Sequence, residues 1–168
     1  MQMHHDTLKS LFVNSLSGMG SYYNHMGDYA KSYSYYLRAK SIIASINGKK
    51  SYEMAVIIRN IASLESSIGN YARSEELLRQ SVGICRNLEN RETYIYTHIM
   101  GLLVSALYKQ EKYEEAWQLA SDVLKKSIAL LGENDSRLSG PYQHLAQSYA
   151  GLDSLTQARD AYLKAYEL

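Results

Sequence analysis

Four turn-like positions stand 42 residues apart along this 168-residue chain: Gly27, Gly69, Glu111 and Asp153. Three of them open related triplets, Gly27-Asp28-Tyr29, Gly69-Asn70-Tyr71 and Glu111-Lys112-Tyr113. The fourth, Asp153-Ser154-Leu155, is weaker by itself. An interval kept without insertion or deletion constrains the chain more than any one motif, because each period must then be a copy of one supersecondary unit.

The residues around the turns repeat in the same register. An apolar side chain precedes each turn in Met19, Ile61, Leu103 and Leu145, followed at once by a mostly small residue in Gly20, Ala62, Val104 and Ala146. After the turns come Ser32, Ser74, Ala116 and Ala158, then Ala39, Ser81, Val123 and Ala165. Small residues at fixed helical positions let two helices approach, and large ones between them (Tyr23, Leu107, Tyr149) fill the gaps. Each period therefore reads as two amphipathic helices. The expected pairs are Thr7–Met26 with Asp28–Ile46, Tyr52–Ile68 with Tyr71–Leu88, Thr93–Gln110 with Tyr113–Leu131, and Ser136–Leu152 with Leu155–Glu167. Polar joints separate the periods: Asn47-Gly48-Lys49-Lys50, Glu89-Asn90-Arg91-Glu92 and Gly132-Glu133-Asn134-Asp135. Gly48 and Gly132 can end helices in the left-handed region, and Asp135 and Ser136 can cap the next one. Pro141 is the only proline, as an all-α chain requires, since proline interrupts helix interiors. Sixteen tyrosines against one phenylalanine suit thin helical layers, where a ring fills the core and its hydroxyl reaches an edge.

These residues resemble the tetratricopeptide repeat. In the first period the match runs through Leu16, Met19-Gly20, Tyr23, Gly27-Asp28-Tyr29, Ser32, Tyr36 and Ala39. In the fourth it runs through Tyr142, Leu145-Ala146, Tyr149, Asp153, Leu155, Ala158, Tyr162 and Ala165. Glu65 departs from the pattern where Tyr23 and Tyr149 stand, and Ala120 departs where Tyr36 and Tyr162 stand, so the middle repeats should pack differently. The ordinary repeat has a period of about 34 residues. The longer one here is similar to that of kinesin light chain and of bacterial peptide-sensing regulators. Leu131-Gly132-Glu133-Asn134-Asp135 with His144-Leu145-Ala146, and Arg59-Asn60-Ile61-Ala62, carry that likeness.

The resemblance implies an all-α, right-handed superhelical solenoid of four hairpins, eight antiparallel helices in all. The repeats would span roughly 7–46, 51–88, 93–131 and 135–168 of a single domain covering 1–168, itself part of a longer protein. It also implies that the first helix of each hairpin lines a concave face. The positions that map there are Asn14, Ser17, Ser21 and Asn24, then Arg59, Asn60 and Ser63, then His98, Gly101 and Ser105, and finally Gln143, His144 and Gln147. Such a lining is polar, almost uncharged, and suited to hydrogen bonding with a peptide backbone. A protein or peptide partner is therefore expected. Some relatives grip chaperone tails with a clamp of lysines and asparagines. The mapped lining has no lysine and Arg59 as its one fixed cation, so binding to such tails is not expected.

Nothing in the sequence reads as chemistry. The phosphate-binding loop, the nucleophile elbow, the His-Glu-x-x-His helix and the dinucleotide fingerprint are missing. Gly18-Met19-Gly20 falls mid-helix, where glycine serves close packing. His4 and His5 read as tag-like or frayed, and His98 and His144 as hydrogen-bonding side chains of the groove. No catalytic residue, cofactor or metal ligand is assigned, and the chain is not read as an enzyme. A net charge of +1 lacks the basic footprint of a nucleic-acid binder. Lys49 and Lys50 form a solvated corner. No stretch has the length of a membrane helix. Cys85 is the lone cysteine, a small helix residue without a disulfide partner. With no signal segment in evidence, the location expected is cytoplasmic. Glu75, Glu76, Glu114 and Glu115 are expected in first turns, opposing the helix dipole.

Three functions fit. The first is an interaction scaffold. The second is a regulatory or sensor domain of a larger protein, such as a transcription regulator, a sensor kinase or a protease. The third is a self-assembling structural array. The final helix, Ala161 to Leu168, carries apolar residues around much of its circumference. Further repeats, a partner chain or self-association should cover it.

Overall fold

The computed structural model describes residues 2–48, 50–86 and 94–168. Lys49, the joint Glu89-Asn90-Arg91-Glu92 and the expected helix ends at Leu88 and Thr93 lie outside the described residues. Among the described residues eight α-helices follow one another: α1 Gln2–His25, α2 Tyr29–Ile46, α3 Tyr52–Ser67, α4 Tyr71–Arg86, α5 Tyr94–Lys109, α6 Tyr113–Leu131, α7 Ser139–Gly151 and α8 Leu155–Glu167. A 3-10 turn, Ser136–Leu138, leads into α7. No strand occurs among the described residues. The chain is an all-α helical repeat.

Contacts group the chain into two compact units, 1–91 and 92–168. In the first, α1 pairs with α2 and α3 with α4, and α3 packs on both α2 and α1. In the second, α5 pairs with α6 and α7 with α8, and α7 packs on both α6 and α5.

All four hairpins close through the same turn. Gly27, Gly69, Glu111 and Asp153 have φ of +77°, +85°, +61° and +55°. Each of their amides donates to a carbonyl three residues back, and the next amide donates five residues back, at 2.8–3.2 Å. In the first hairpin these are Gly27 to Asn24 and Asp28 to Tyr23; in the last, Asp153 to Ala150 and Ser154 to Tyr149. This paired bonding satisfies carbonyls that a helix end would otherwise leave open. Two turns meet the left-handed requirement with glycine and two with residues that carry a Cβ. The conformation costs an L-residue about 1–2 kcal/mol, of which glycine's greater unfolded freedom takes back about 0.5–1 kcal/mol. Glu111→Gly should therefore stabilise the chain by roughly 0.5–1 kcal/mol, and Gly69→Ala should weaken it by a similar amount, as shifts in urea midpoint. Asp153→Gly should gain less, because Asp tolerates this region better than Glu.

Between paired helices the small residues meet large ones in inverse proportion. Tyr36 of α2, only 3% exposed, lies directly over Gly20 of α1. The equivalent positions hold Ala62 with Leu78 in the second hairpin and Val104 with Ala120 in the third, all buried. In these three hairpins the second-helix residue shrinks as the first-helix residue grows, as close packing requires. This accounts for Ala120. Buried hydroxyls at the small positions find carbonyls, as burial demands. Ser32 Oγ donates to Gly20 O at 2.7 Å, Ser81 Oγ to Ala55 O at 2.8 Å, and Ser139 Oγ to Ala165 O at 2.8 Å. Ser81 and Ala165 are repeat equivalents, as are Ala55 and Ser139. The second and fourth hairpins thus make the same bridge with donor and acceptor exchanged.

Several details differ from expectation. Helix α1 starts at Gln2, so the backbones of His4 and His5 are helical. Gly48 and Gly132 do take positive φ, +75° and +84°. Asp135 caps the 3-10 turn by accepting from Arg137 N at 2.9 Å, whereas Ser136 is already inside that turn. Glu114 and Glu115 lie in the first turn of α6. Glu75 and Glu76 lie beyond the first turn of α4, where they pair instead with Arg79 and Arg73. Glu65 is buried and accepts from Asn70 Nδ2 at 2.9 Å; a carboxylate with a local donor replaces a tyrosine ring at that site. Cys85 is buried, and burial pushes its thiol pKa up.

Candidate functional site

The side chains mapped to the first-helix faces fall into separate groups within each unit. In the first unit, α1 carries Asn14 exposed and Ser17, Ser21 and Asn24 half-buried. Asn24 Oδ1 is buried and has no hydrogen-bond partner. On α3, Arg59, Asn60 and Ser63 are half-buried. Arg59 donates to Asn60 Oδ1 through Nε at 3.2 Å and Nη2 at 2.6 Å. This charge-assisted bond fixes the amide. Tyr36 joins them from the second helix. Burial pushes its hydroxyl pKa up, while hydrogen bonds to Ser21 and Ser32 and the nearby Arg59 charge act the other way. The structure thus brings Ser21, Tyr36, Arg59 and Asn60 together. Tyr36 was legible only as a core ring, but Gly20 is the signal that could have revealed it. With no side chain at Gly20, the ring crosses under α1 and its hydroxyl emerges beside Ser21.

In the second unit, His144 of α7 lies on Gly101 of α5, so closely that a Cβ at Gly101 would collide with the imidazole. Burial, and then the neighbouring His98, push the His144 pKa below its ordinary 6.5. Ser105 and Gln147 are half-buried. Gln143 faces elsewhere. Its Nε2 is 3.4 Å from Ser139 Oγ, and it borders a shallow depression against Tyr162 and Tyr166 of α8. Adjacent helical residues point about 100° apart, so Gln143 and His144 serve different sides.

His98 and His144 border a cleft of about 510 Å³. Its walls are Thr97 and Leu102 of α5, Val123, Ser127, Leu130 and Leu131 of α6, and Ser136, Arg137, Gly140 and Pro141 leading into α7. No carboxylate lines it. Ser127 Oγ is buried there without a hydrogen-bond partner, a state that costs free energy unless a ligand or water fills it. Arg137 is held by Asp135, with Nε and Nη2 donating at 2.8 and 2.6 Å. That contact lowers the Asp135 pKa to about 2. The cleft is apolar with hydrogen-bonding groups at its rim, a composition that suits a side chain or small ligand. Ser127 and Thr97 carry no sequence signal for this role, because their helices meet α7 only in the folded chain.

A histidine whose folded pKa lies below its unfolded one supports the fold fully above the unfolded value. That support is lost as pH falls from there through the folded value. Stability should therefore decline on acidification from about pH 6.5. His144→Gln should flatten that part of the curve, as urea midpoints at pH 8, 6 and 5 would show.

Among the described residues no three His, Cys, Asp or Glu side chains converge as metal ligands. No described helix is long and apolar enough to cross a membrane. Residues 11–87 match the tetratricopeptide-repeat family, and residues 140–168 match it again. Among solved structures, BtubC (BKLC) from P. vanneervenii is similar over 94% of this chain, with a TM-score of 0.79 and 19% identity. The chain spans 63% of BtubC. A kinesin light chain-like protein of Podosopora anserina with nearly identical TPR-like repeats is similar over 92% of this chain and 73% of its own, with a TM-score of 0.77 and 16% identity. At these identities the likeness is one of fold. No curated protein matches in sequence.

Proposed function

The chain belongs to the tetratricopeptide-repeat family, and because such repeats are generally protein-interaction scaffolds, we propose that it binds a peptide segment of a partner through the first helices of its hairpins. The observation that carries this reading is the grouping of Ser21, Tyr36, Arg59 and Asn60 on neighbouring helices of one unit. Their hydrogen-bonding groups are pre-positioned by one another, which lowers the ordering cost of taking up a peptide. Within the second unit, His98 and His144 border an apolar cleft that by itself suits a ligand side chain. Repeats of this fold are typically non-enzymatic scaffolds.

Selection from a random peptide library displayed on phage tests the proposal. Selected peptides should bind the chain with micromolar affinity, and Asn60→Ala or His98→Ala should each weaken them about 3- to 10-fold, the effect of one hydrogen bond. Gln143→Ala, on the α8 side, should matter less. No enrichment, or enrichment indifferent to Asn60 and His98, would remove the first-helix faces from consideration. The regulatory reading uses the same faces and differs in what the repeats are joined to, which the full-length gene product decides.

A further inference from the structure

The cleft of the second unit opens at a place that the first unit fills. Two periods earlier in the chain, Ser127, Gly140 and Pro141 correspond to Ile43, Val56 and Ile57. Ile43 and Ile57 are 2% and 1% exposed, so they belong to the core of the first unit. The second unit exchanges one isoleucine for a hydroxymethyl group, the valine for a hydrogen and the other isoleucine for a proline ring. Leu102 and Val123 are larger than their equivalents Gly18 and Ala39, but they stay at the walls and leave about 510 Å³ open. A Cβ at Gly140 would meet nothing within 4 Å, which is the same vacancy seen from α7.

The cleft also holds an unpaired polar group. Ser127 is 3% exposed and its Oγ has no hydrogen-bond partner. A helical serine can donate to the carbonyl four residues back. Ser15, Ser67 and Ser148 do so, to Leu11, Ser63 and His144, at 3.0, 3.0 and 2.9 Å. Ser127 does not, and an unpaired buried hydroxyl costs free energy that a hydrogen-bonding ligand recovers. Around it the walls are mainly apolar and offer nothing to a charged ligand. No carboxylate lines the cleft, and Arg137 is already bound to Asp135. The volume lies within the range of about 300–1,000 Å³ that free small molecules occupy. One peptide side chain fits such a volume without filling it.

We infer that this cleft binds a free small molecule that is uncharged, largely apolar and carries a hydroxyl. Its apolar body takes the place that Ile43, Val56 and Ile57 hold in the first unit, and its hydroxyl pairs with Ser127 Oγ. The inference stands apart from the peptide reading, which is carried by Ser21, Tyr36, Arg59 and Asn60 of the other unit.

The test uses p-cresol and toluene, two probes that differ by one hydroxyl. Each is titrated into the full chain and followed through the leucine and valine methyl signals in proton–carbon NMR. With p-cresol the methyls of Leu102, Val123 and Leu131 should shift, with a Kd of about 1 mM. Ser127→Ala should weaken p-cresol about 3- to 10-fold, the effect of one hydrogen bond, and leave toluene unchanged. Gly140→Val restores the first unit's residue in open space and should weaken both probes about tenfold or more by filling the cleft. Circular dichroism checks that both variants are folded. No p-cresol shift at the cleft methyls would overturn the inference, and so would binding that survives Gly140→Val. Equal effects of Ser127→Ala on the two probes would overturn it too, because the hydroxyl would then play no part. Displacement of p-cresol by library-selected peptides would overturn it in favour of a peptide side chain as occupant. Failure of the peptide selection would leave the p-cresol result standing, so the two readings fail separately.

Discussion

Gly20→Ala should destabilise the chain by about 2 kcal/mol, although alanine is the better helix former. A Cβ at this position would stand 2.5 Å from Tyr36 Cε1 and 2.6 Å from Cδ1, far inside the ordinary carbon–carbon contact of about 3.5–4 Å. The ring is buried, 3% exposed, so it cannot withdraw without opening the core around it. Overpacking of this kind costs typically 1–3 kcal/mol, and an overlap of a full ångström belongs at the upper end. The helix-propensity gain of about 1 kcal/mol works against it and is smaller. Gly18→Ala, two residues away with nothing near its Cβ, isolates that gain and should stabilise. Adding Tyr36→Leu to Gly20→Ala recreates the Ala62–Leu78 pair of the second hairpin and should recover most of the loss. Urea denaturation of the three variants beside the parent chain reads out each step. If Gly20→Ala behaved like Gly18→Ala, the ring would not sit where the geometry puts it.

The corresponding change in the second unit should act differently. Gly101→Ala drives a Cβ into the His144 imidazole, and about 1–2 kcal/mol should be lost by the same overpacking mechanism. His144, unlike Tyr36, borders an open cleft and can swing aside. Its pKa should then return toward the ordinary value as burial is relieved, and the acid-side decline of stability should flatten. An NMR titration of the His144 ring checks this. A ring that stays depressed in Gly101→Ala would mean that the helices moved apart instead.

The hairpins were legible because the turn is marked locally, by residues that end one helix and admit the next. The start of α1 was not: nothing between Gln2 and Thr7 stops a helix, and the repeat frame does not require those residues. At Ser136 the helix was expected too early. Pro141 has no amide to give the Arg137 carbonyl, so the chain makes a capped 3-10 turn before α7 begins. The candidate site was legible by face but not by grouping. Asn60 and Arg59 could be named from register, whereas the Tyr36 hydroxyl and Ser127 belong to second helices. They enter only because a glycine opposite, or a neighbouring hairpin, lets them. Gln143 and His144 show the finer limit: a register error of one residue exchanges one side of a helix for another.

The left-handed turns carry a consequence for the order in which the chain assembles. At Gly27 and Gly69 the reversal is a conformation the unfolded chain already visits, so α1 can find α2, and α3 can find α4, by local search. At Glu111 and Asp153 the same reversal lies uphill until helix packing holds it. The first unit would nucleate from its turns outward, the second from its helix contacts inward. A chain emerging from its N-terminus would then complete the self-starting half first, before the slower half has left its unfolded state.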